Sequence, residues 1–233
     1  MPIRGNKIIG TVAYMGGLPA VLESFTWSWT QMMQYNAEYL QGPGEIVNYD
    51  RSTISYHSAA RNGLVDRMQG DWLVMFDTDH AFEPDIVGRL LRLANYHNVD
   101  VITALYVNRN PPHPPVIFLF DQDSMLFNPV AKWDKNGAEL VQIGSAGAGT
   151  LFVRRKVFER IRTECKEEPF APKRNYGEDH SFFYRLLNLD IPAYFAPMIE
   201  SYHLMVKPLS IDSFEVGNLR LKERQEVGGL ACQ

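Results

Sequence analysis

Two carboxylates one residue apart directly follow a wholly apolar run: Trp72-Leu73-Val74-Met75-Phe76 leads into Asp77-Thr78-Asp79-His80. Residues two apart in an extended chain share a face, so Asp77 and Asp79 are expected side by side. Two ionised carboxylates that close repel each other in a dry site, and a divalent cation removes the conflict. Oxygen ligands suit Mg2+ or Mn2+, which bind one or two carboxylates together with substrate phosphates. A neighbouring histidine tilts the choice toward Mn2+. The plainer reading is that both residues solvate a loop and cap the helix expected to start at Pro84. Their position favours the cation, because ligands of open α/β sheets bind outside the carboxyl ends of the strands.

A second acidic pair, Glu178-Asp179, stands between Gly177 and the helical pattern Phe182, Phe183, Leu186, Leu187. A helix N-terminus keeps a carboxylate ionised, and an ionised carboxylate beside a cleft can take a proton from an incoming hydroxyl. An ordinary acidic first turn would look the same. The polar stretch from Phe170 to Gly177 places the pair at an open edge. His203 follows the strand-like Ala193–Ala196. A lone histidine more often has a structural role; only a fold back of the chain onto Asp79 would make it a ligand.

Gly144-Ser145-Ala146-Gly147-Ala148-Gly149-Thr150 lacks the spacing of either glycine-rich nucleotide-binding motif, although small residues permit close backbone approach to a ligand. A simple hairpin or bulge would use them equally. Arg51, Arg61, Arg109, Lys173, Arg174 and Lys207 fall in or near loops or helix starts, where one or two could pair with a diphosphate. Arg154-Arg155-Lys156 reads as a solvated face. Pro111-Pro112-His113-Pro114-Pro115 reads as a rigid extended connector.

These residues need a scaffold. Strands are expected at Lys7–Tyr14, Glu45–Tyr49, Trp72–Phe76 and Val99–Val107, with Asp50-Arg51-Ser52 as a loop. Helices are expected over Pro19–Leu40, Ser52–Met68 and Pro84–Asn95. The alternation implies an α/β fold with a mainly parallel sheet. Beyond it the pattern turns irregular, with strands at Val116–Phe120, Glu139–Ile143 and Thr150–Val153 and helices at Arg155–Arg162 and Glu178–Leu187. The 233 residues can bury a full core in one domain, expected over 1–208. Residues 209–233 form a tail or a charged surface helix.

Composition removes several classes. The balance of 23 basic against 27 acidic residues gives a net charge of −4, which argues against bulk electrostatic capture of nucleic acid. With 45% hydrophobic and 21% charged residues the chain is not disordered. Cys165 and Cys232 form neither a disulfide framework nor a zinc spacing, which points to a reducing, cytoplasmic compartment. No apolar run reaches membrane-span length, and the N-terminal stretch carries no signal-peptide pattern.

The order of TVAY, Asp50, Ala60-Arg61-Asn62, WLVMFDTDH, GAGTLFVRR, GEDHSFFYRL and YHL resembles the GT-A glycosyltransferases of the family 2 type, over about Lys7 to Lys207. The resemblance implies a GT-A fold, the nucleotide-diphospho-sugar transferase fold, with a mixed central sheet flanked by helices. It also implies roles. Thr11, Ala13 and Tyr14, with Asp50, would hold the nucleoside, and Arg61 would approach the base or diphosphate. Asp77, with Thr78 beside it, would sit near ribose and metal; Asp79 would ligate the metal, and His203 would complete its site. Gly147, Gly149 and Thr150 would border sugar and acceptor. Asp179 would be the catalytic base with Glu178 beside it, and Lys207 would close over the donor. Asn48-Tyr49-Asp50-Arg51-Ser52 departs from the family's paired acids, and His80 stands where a third acid is common. The missing QxxRW motif and membrane spans argue against a processive polysaccharide synthase.

The implied activity is metal-dependent, inverting transfer of a sugar from a nucleotide-diphosphate donor, a UDP-sugar foremost, using Mn2+ or Mg2+. The acceptor could be a glycan, a small molecule or modified nucleic acid. The alternatives are a sugar nucleotidyltransferase and a non-catalytic carbohydrate- or nucleic-acid-binding protein on the same scaffold.

Overall fold

In a computed structural model, which describes residues 6–16, 22–130, 137–173 and 175–205, the apolar run before Asp77 is the middle of the molecule. This strand, β3 (Trp72–Asp77), pairs in parallel with β1 (Lys7–Met15), which pairs in parallel with β2 (Glu45–Ser52). On its other side β3 meets β10 (Thr150–Arg154), which runs antiparallel to both β3 and β5 (Val101–Leu105). The sheet continues through β11 (Ala193–His203), parallel to β5, and ends at β4 (His80–Phe82). A short strand β8 (Val141–Ile143) pairs beside the start of β11.

Alternation along β3 explains why all five apolar residues are needed. Leu73 and Met75 face one core with Ala60, Leu64, Phe158 and Phe182. Trp72, Val74 and Phe76 face another with Phe25, Met32, Ile86 and Leu90. A strand covered on both faces reads as a continuous apolar run. The first core belongs to helices α2 (His57–Arg67), α4 (Arg155–Arg160) and α5 (Glu178–Asn188); the second to α1 (Glu23–Tyr35) and α3 (Ile86–Tyr96). The mixed sheet flanked by helices is therefore as expected. A separate small sheet joins β6 (Ile117–Asp121), β7 (Leu126–Pro129) and β9 (Ser145–Ala146).

Several boundaries differ from the sequence pattern. Asp50-Arg51-Ser52 is not a loop but the end of β2, held by register pairing with Ala13, Tyr14 and Met15. The strand starting at Ala193 runs on to His203, because its last residues find a new partner in β4. The proline-rich stretch is not an extended connector: it turns back so that Val107 bridges Pro115 and Asn108 N–H donates to the Pro114 carbonyl. Helices α1 and α4 each finish in a π-helical turn, Asn36–Leu40 and Ile161–Cys165. Residues 209–233 lie outside the described residues, as do Arg174 and Lys207.

β1, β3, β5 and β11 run in one direction, so their carboxyl ends collect at one rim. β10 runs against them and begins there, since Thr150 pairs with Phe76. The residues that leave these strand ends are the ones singled out for chemistry.

Candidate active site

Antiparallel pairing builds the first cluster. His203 of β11 lies opposite His80 of β4, and directly opposed residues share a face. Their rings lie 4.8 Å apart between centroids, tilted by 33°. The pairing extends one step further, where Leu204 N–H donates to the Asp79 carbonyl at 2.7 Å. Asp79 Oδ2 then stands 3.4 Å from His203 Nε2, and Asp79 Oδ1 3.9 Å from His80 Nε2. One ligand atom from each of Asp79, His80 and His203 lies within 4.8 Å of the others.

The protonation chemistry of this group suits a divalent cation. His203 Nδ1 lies 2.9 Å from the Val107 carbonyl, which can only accept, so Nδ1 donates there and Nε2 is the ring nitrogen that faces Asp79. His80 Nδ1 is 2.7 Å from Ser201 Oγ, which leaves its Nε2 on the Asp79 side. Burial pushes the His80 pKa down to about 4 against the pull of Asp77 and Asp79, so the ring stays neutral and able to ligate. Two imidazoles and a carboxylate, each imidazole anchored through its other nitrogen, match a metal-binding set.

Asp77, expected as a further metal ligand, lies outside that group. Its carboxylate accepts from Arg61 Nη2 at 3.0 Å, and so points toward α2. Arg61, 2% exposed, also donates from Nη1 to the Ala148 carbonyl at 3.0 Å. On its remaining side Asp179 Oδ1 lies 3.5 Å and Glu178 Oε1 4.0 Å from Nε. Burial alone would lower the Arg61 pKa; Asp77, Asp179 and Glu178 overcome it, so the guanidinium is held more firmly protonated than usual. Asp77 and the pair Glu178-Asp179, distant in sequence, thus converge on one cation.

Asp179 is the unusual carboxylate of the four. Its side chain is 28% exposed, yet Oδ1 is buried without a hydrogen-bond partner. Burial pushes its pKa up to about 6, with Glu178 and Asp77 adding to the rise and Arg61 opposing it. A carboxylate with that pKa is half-ionised at about pH 6 and mostly ionised at neutral pH, where it can accept a proton.

The small-residue loop makes room for these groups. A Cβ on Gly149 would come 2.6 Å from His80 Nε2, and one on Gly147 would come 2.0 Å from the Tyr106 hydroxyl. Gly149 N–H donates to Tyr106 Oη at 3.2 Å, and the Tyr106 ring stands edge-on to His80. Tyr106 thus separates the histidines from the Arg61 cluster. The sequence reading missed it, although a polar residue ending the apolar run Val101–Leu105 was a usable signal. His80 entered that reading as a neighbour favouring Mn2+ and as a departure from the family pattern, not as a ligand.

Other residues assigned to the donor are less free. Thr11 and Ala13 are fully buried; the Thr11 hydroxyl donates to the Gln69 carbonyl and accepts from Gln69 N–H, both at 2.8 Å. Asp50 Oδ2 accepts from Arg67 Nε at 2.9 Å. Tyr14 packs edge-on against Phe25 and Trp29. Thr78, Asp77 and Asp79 do line a cleft of about 320 Å³ with Ser55, His57 and Arg109. At its mouth Arg109 Nη2 lies 3.0 Å from Asp79 Oδ2. A larger surface groove of about 720 Å³, lined by Arg89, Arg92, Tyr96 and Met198 among others, lies along α3 and shares no residue with the cleft.

The profile of glycosyl transferase family 2 matches residues 34–162, more than half of the chain. The chain belongs to glycosyl transferase family 2. The matched span contains Arg61, Asp77, Asp79, Tyr106 and Gly149. Two crystal structures share the fold. A197 from STIV is 16% identical at a TM-score of 0.53, with 84% of this chain and 86% of that one covered. GalNAc-T7, solved with UDP, GalNAc and Mn2+, is 12% identical at a TM-score of 0.55; the match covers 87% of this chain and 43% of GalNAc-T7. No curated protein matches the sequence. As a member of this family the chain is a glycosyltransferase with a GT-A fold. Among the described residues, no helix is long and apolar enough to cross a membrane.

Proposed function

We propose that this glycosyltransferase moves a sugar from a nucleotide-diphosphate donor, a UDP-sugar foremost, to an acceptor hydroxyl with inversion at the anomeric carbon. The observation that carries the reading is the meeting of Asp77 and Asp179 on Arg61, beside the Asp79, His80 and His203 group. Asp79, His80 and His203 would hold Mn2+ or Mg2+, whose positive charge offsets that of a leaving diphosphate. UDP and Mn2+ are bound by GalNAc-T7, whose fold this chain shares.

The cleft beside Asp77, Thr78 and Asp79 receives the donor, with Arg109 at its mouth to pair with phosphate oxygens. Asp179 accepts the proton of the acceptor hydroxyl. The acceptor oxygen then bonds to the anomeric carbon as the bond to the phosphate oxygen breaks. The burial of Arg61 and Tyr106 behind the carboxylates excludes water from that side of the base. Two widely spaced cysteines support a cytoplasmic location.

A thermal-shift panel of nucleotide sugars with and without Mn2+ tests the reading. A bound donor at a hundred times its Kd stabilises by about 2.7 kcal/mol, so one sugar nucleotide should raise the midpoint in a cation-dependent manner and be slowly hydrolysed. Failure of every nucleotide sugar, or release of pyrophosphate from a nucleoside triphosphate, would overturn it.

A further inference from the structure

The sequence reading set Arg61 against the donor, but its surroundings leave it no surface to do so. It projects from the buried face of α2, among Ser58, Ala60, Leu64 and Val65. Its donors are directed at three separate elements: the end of β3 through Asp77, the loop before β10 through the Ala148 carbonyl, and the first turn of α5 through Asp179 and Glu178. One of those contacts is incomplete. Arg61 Nε and Asp179 Oδ1 face each other at 3.5 Å, both buried and both without a hydrogen-bond partner. An N–H···O bond closes at about 2.9 Å, so a small rotation of Asp179 makes or breaks it.

We propose that Arg61 is a positioning residue that ties the carboxylate of the acceptor side, Asp179, to the carboxylate at the end of the central strand, Asp77, and touches neither substrate. The proposal rests on the reading of Asp179 as the base. A planar guanidinium can address three directions at once. It thereby sets the first turn of α5 against the end of β3 without a backbone connection between them. Arg61 is also the cation among three carboxylates, Asp77, Glu178 and Asp179. The charged and titratable groups facing Asp179 are Arg61 from α2, Asp77 from β3, Tyr106 beyond β5 and Glu178 on its own helix; His57 lies 3.5 Å from Glu178. Of these, Glu178 and Asp77 favour the protonated carboxyl, whereas Arg61 and a protonated His57 favour the ionised one.

The test uses two variants and two probes. Arg61→Lys keeps the charge and loses the fork; Arg61→Met removes the charge and serves where it folds. Carboxyl carbon NMR on protein labelled at aspartate follows the titration of Asp179, and calorimetry follows UDP binding in the presence of Mn2+. The Asp179 midpoint is expected to rise in Arg61→Lys and by about one to three pH units in Arg61→Met, while UDP affinity stays within threefold of wild type. An unmoved midpoint in Arg61→Lys overturns the proposal, and so does a tenfold loss of UDP affinity. Neither measurement depends on turnover. Sugar transfer retained by Asp179→Asn would end the reading of Asp179 as base, and would be told apart from a failure of the Arg61 coupling.

Discussion

His203 Nε2 and Asp79 Oδ2 lie 3.4 Å apart although they are far apart in the sequence. The contact exists because β4 and β11 place His80 and His203 opposite each other and the next backbone bond draws in Asp79. Removing a ligand should therefore affect the cation before the fold. His203→Ala is expected to weaken Mn2+ binding by about tenfold or more, a loss that even outer partners of a metal site cause. Asp79→Ala should abolish cation-dependent donor turnover while the circular dichroism spectrum is unchanged. Manganese titration followed by electron paramagnetic resonance reads both; full affinity in His203→Ala would sink the proposed site.

Gly149 tests the same site from the backbone side. The methyl of Gly149→Ala must displace His80, whose ring is already held by Ser201. Overpacking of this kind costs about 1–3 kcal/mol, measurable by urea unfolding, and Mn2+ affinity should fall with it. Loss of stability with unchanged Mn2+ affinity would separate the loop from the site.

The acid limb of the pH–rate profile reports on Asp179. Its pKa, raised to about 6 in the folded protein, means that the proton must leave before the group can act as base. Rate should therefore fall about tenfold per pH unit below that value and level off above it. Asp179→Asn should lower transfer by about 10²- to 10⁴-fold with UDP binding retained. A profile flat down to pH 5 would remove Asp179 from the role.

Arg185 holds the segment that leads into Asp179. It is buried, donates from Nε to Glu167 at 2.7 Å, and donates to the carbonyls of Ser181 and Ala171 at 2.9 and 2.7 Å. Arg185→Ala is expected to lose about 1–3 kcal/mol, because the Ala171 and Ser181 carbonyls lose their buried donor, while the half-exposed Glu167 keeps Lys173 at 2.9 Å. The exposed pair Arg160–Glu164 is the control: Arg160→Ala should leave the urea midpoint in place.

Much of this architecture was legible in local patterns. The run Trp72–Phe76 announced a strand covered twice, and Phe182, Phe183 and Leu186 oriented α5 so that Glu178 and Asp179 fell in its first turn. Proximity across the chain was not legible. Spacing set Asp77 beside Asp79, but its ion pair with the buried Arg61 could not be read from spacing. His80 joined the cluster through a three-residue strand too short to carry a pattern. The end of β2 read as a loop because Asp50, Arg51 and Ser52 have little strand propensity; pairing with β1 overrides it. The hairpin of β6 and β7 was half seen, since Leu126–Pro129 has neither length nor alternation.

β11 holds its register with β5 as far as Ala196 and resumes it at Glu200, with Leu105 following Ala104 directly on the partner. Pro197, Met198 and Ile199 form the arch between, pinned where Arg89 donates to the Met198 carbonyl. Side chains alternate along a strand, so the length of this arch decides which residue reaches the rim. One residue fewer would bring Leu204 opposite His80, and one more would bring Tyr202. Drift in this enzyme's ancestry could lengthen or trim many surface turns freely, but here a single codon gained or lost would silence the imidazole without touching it.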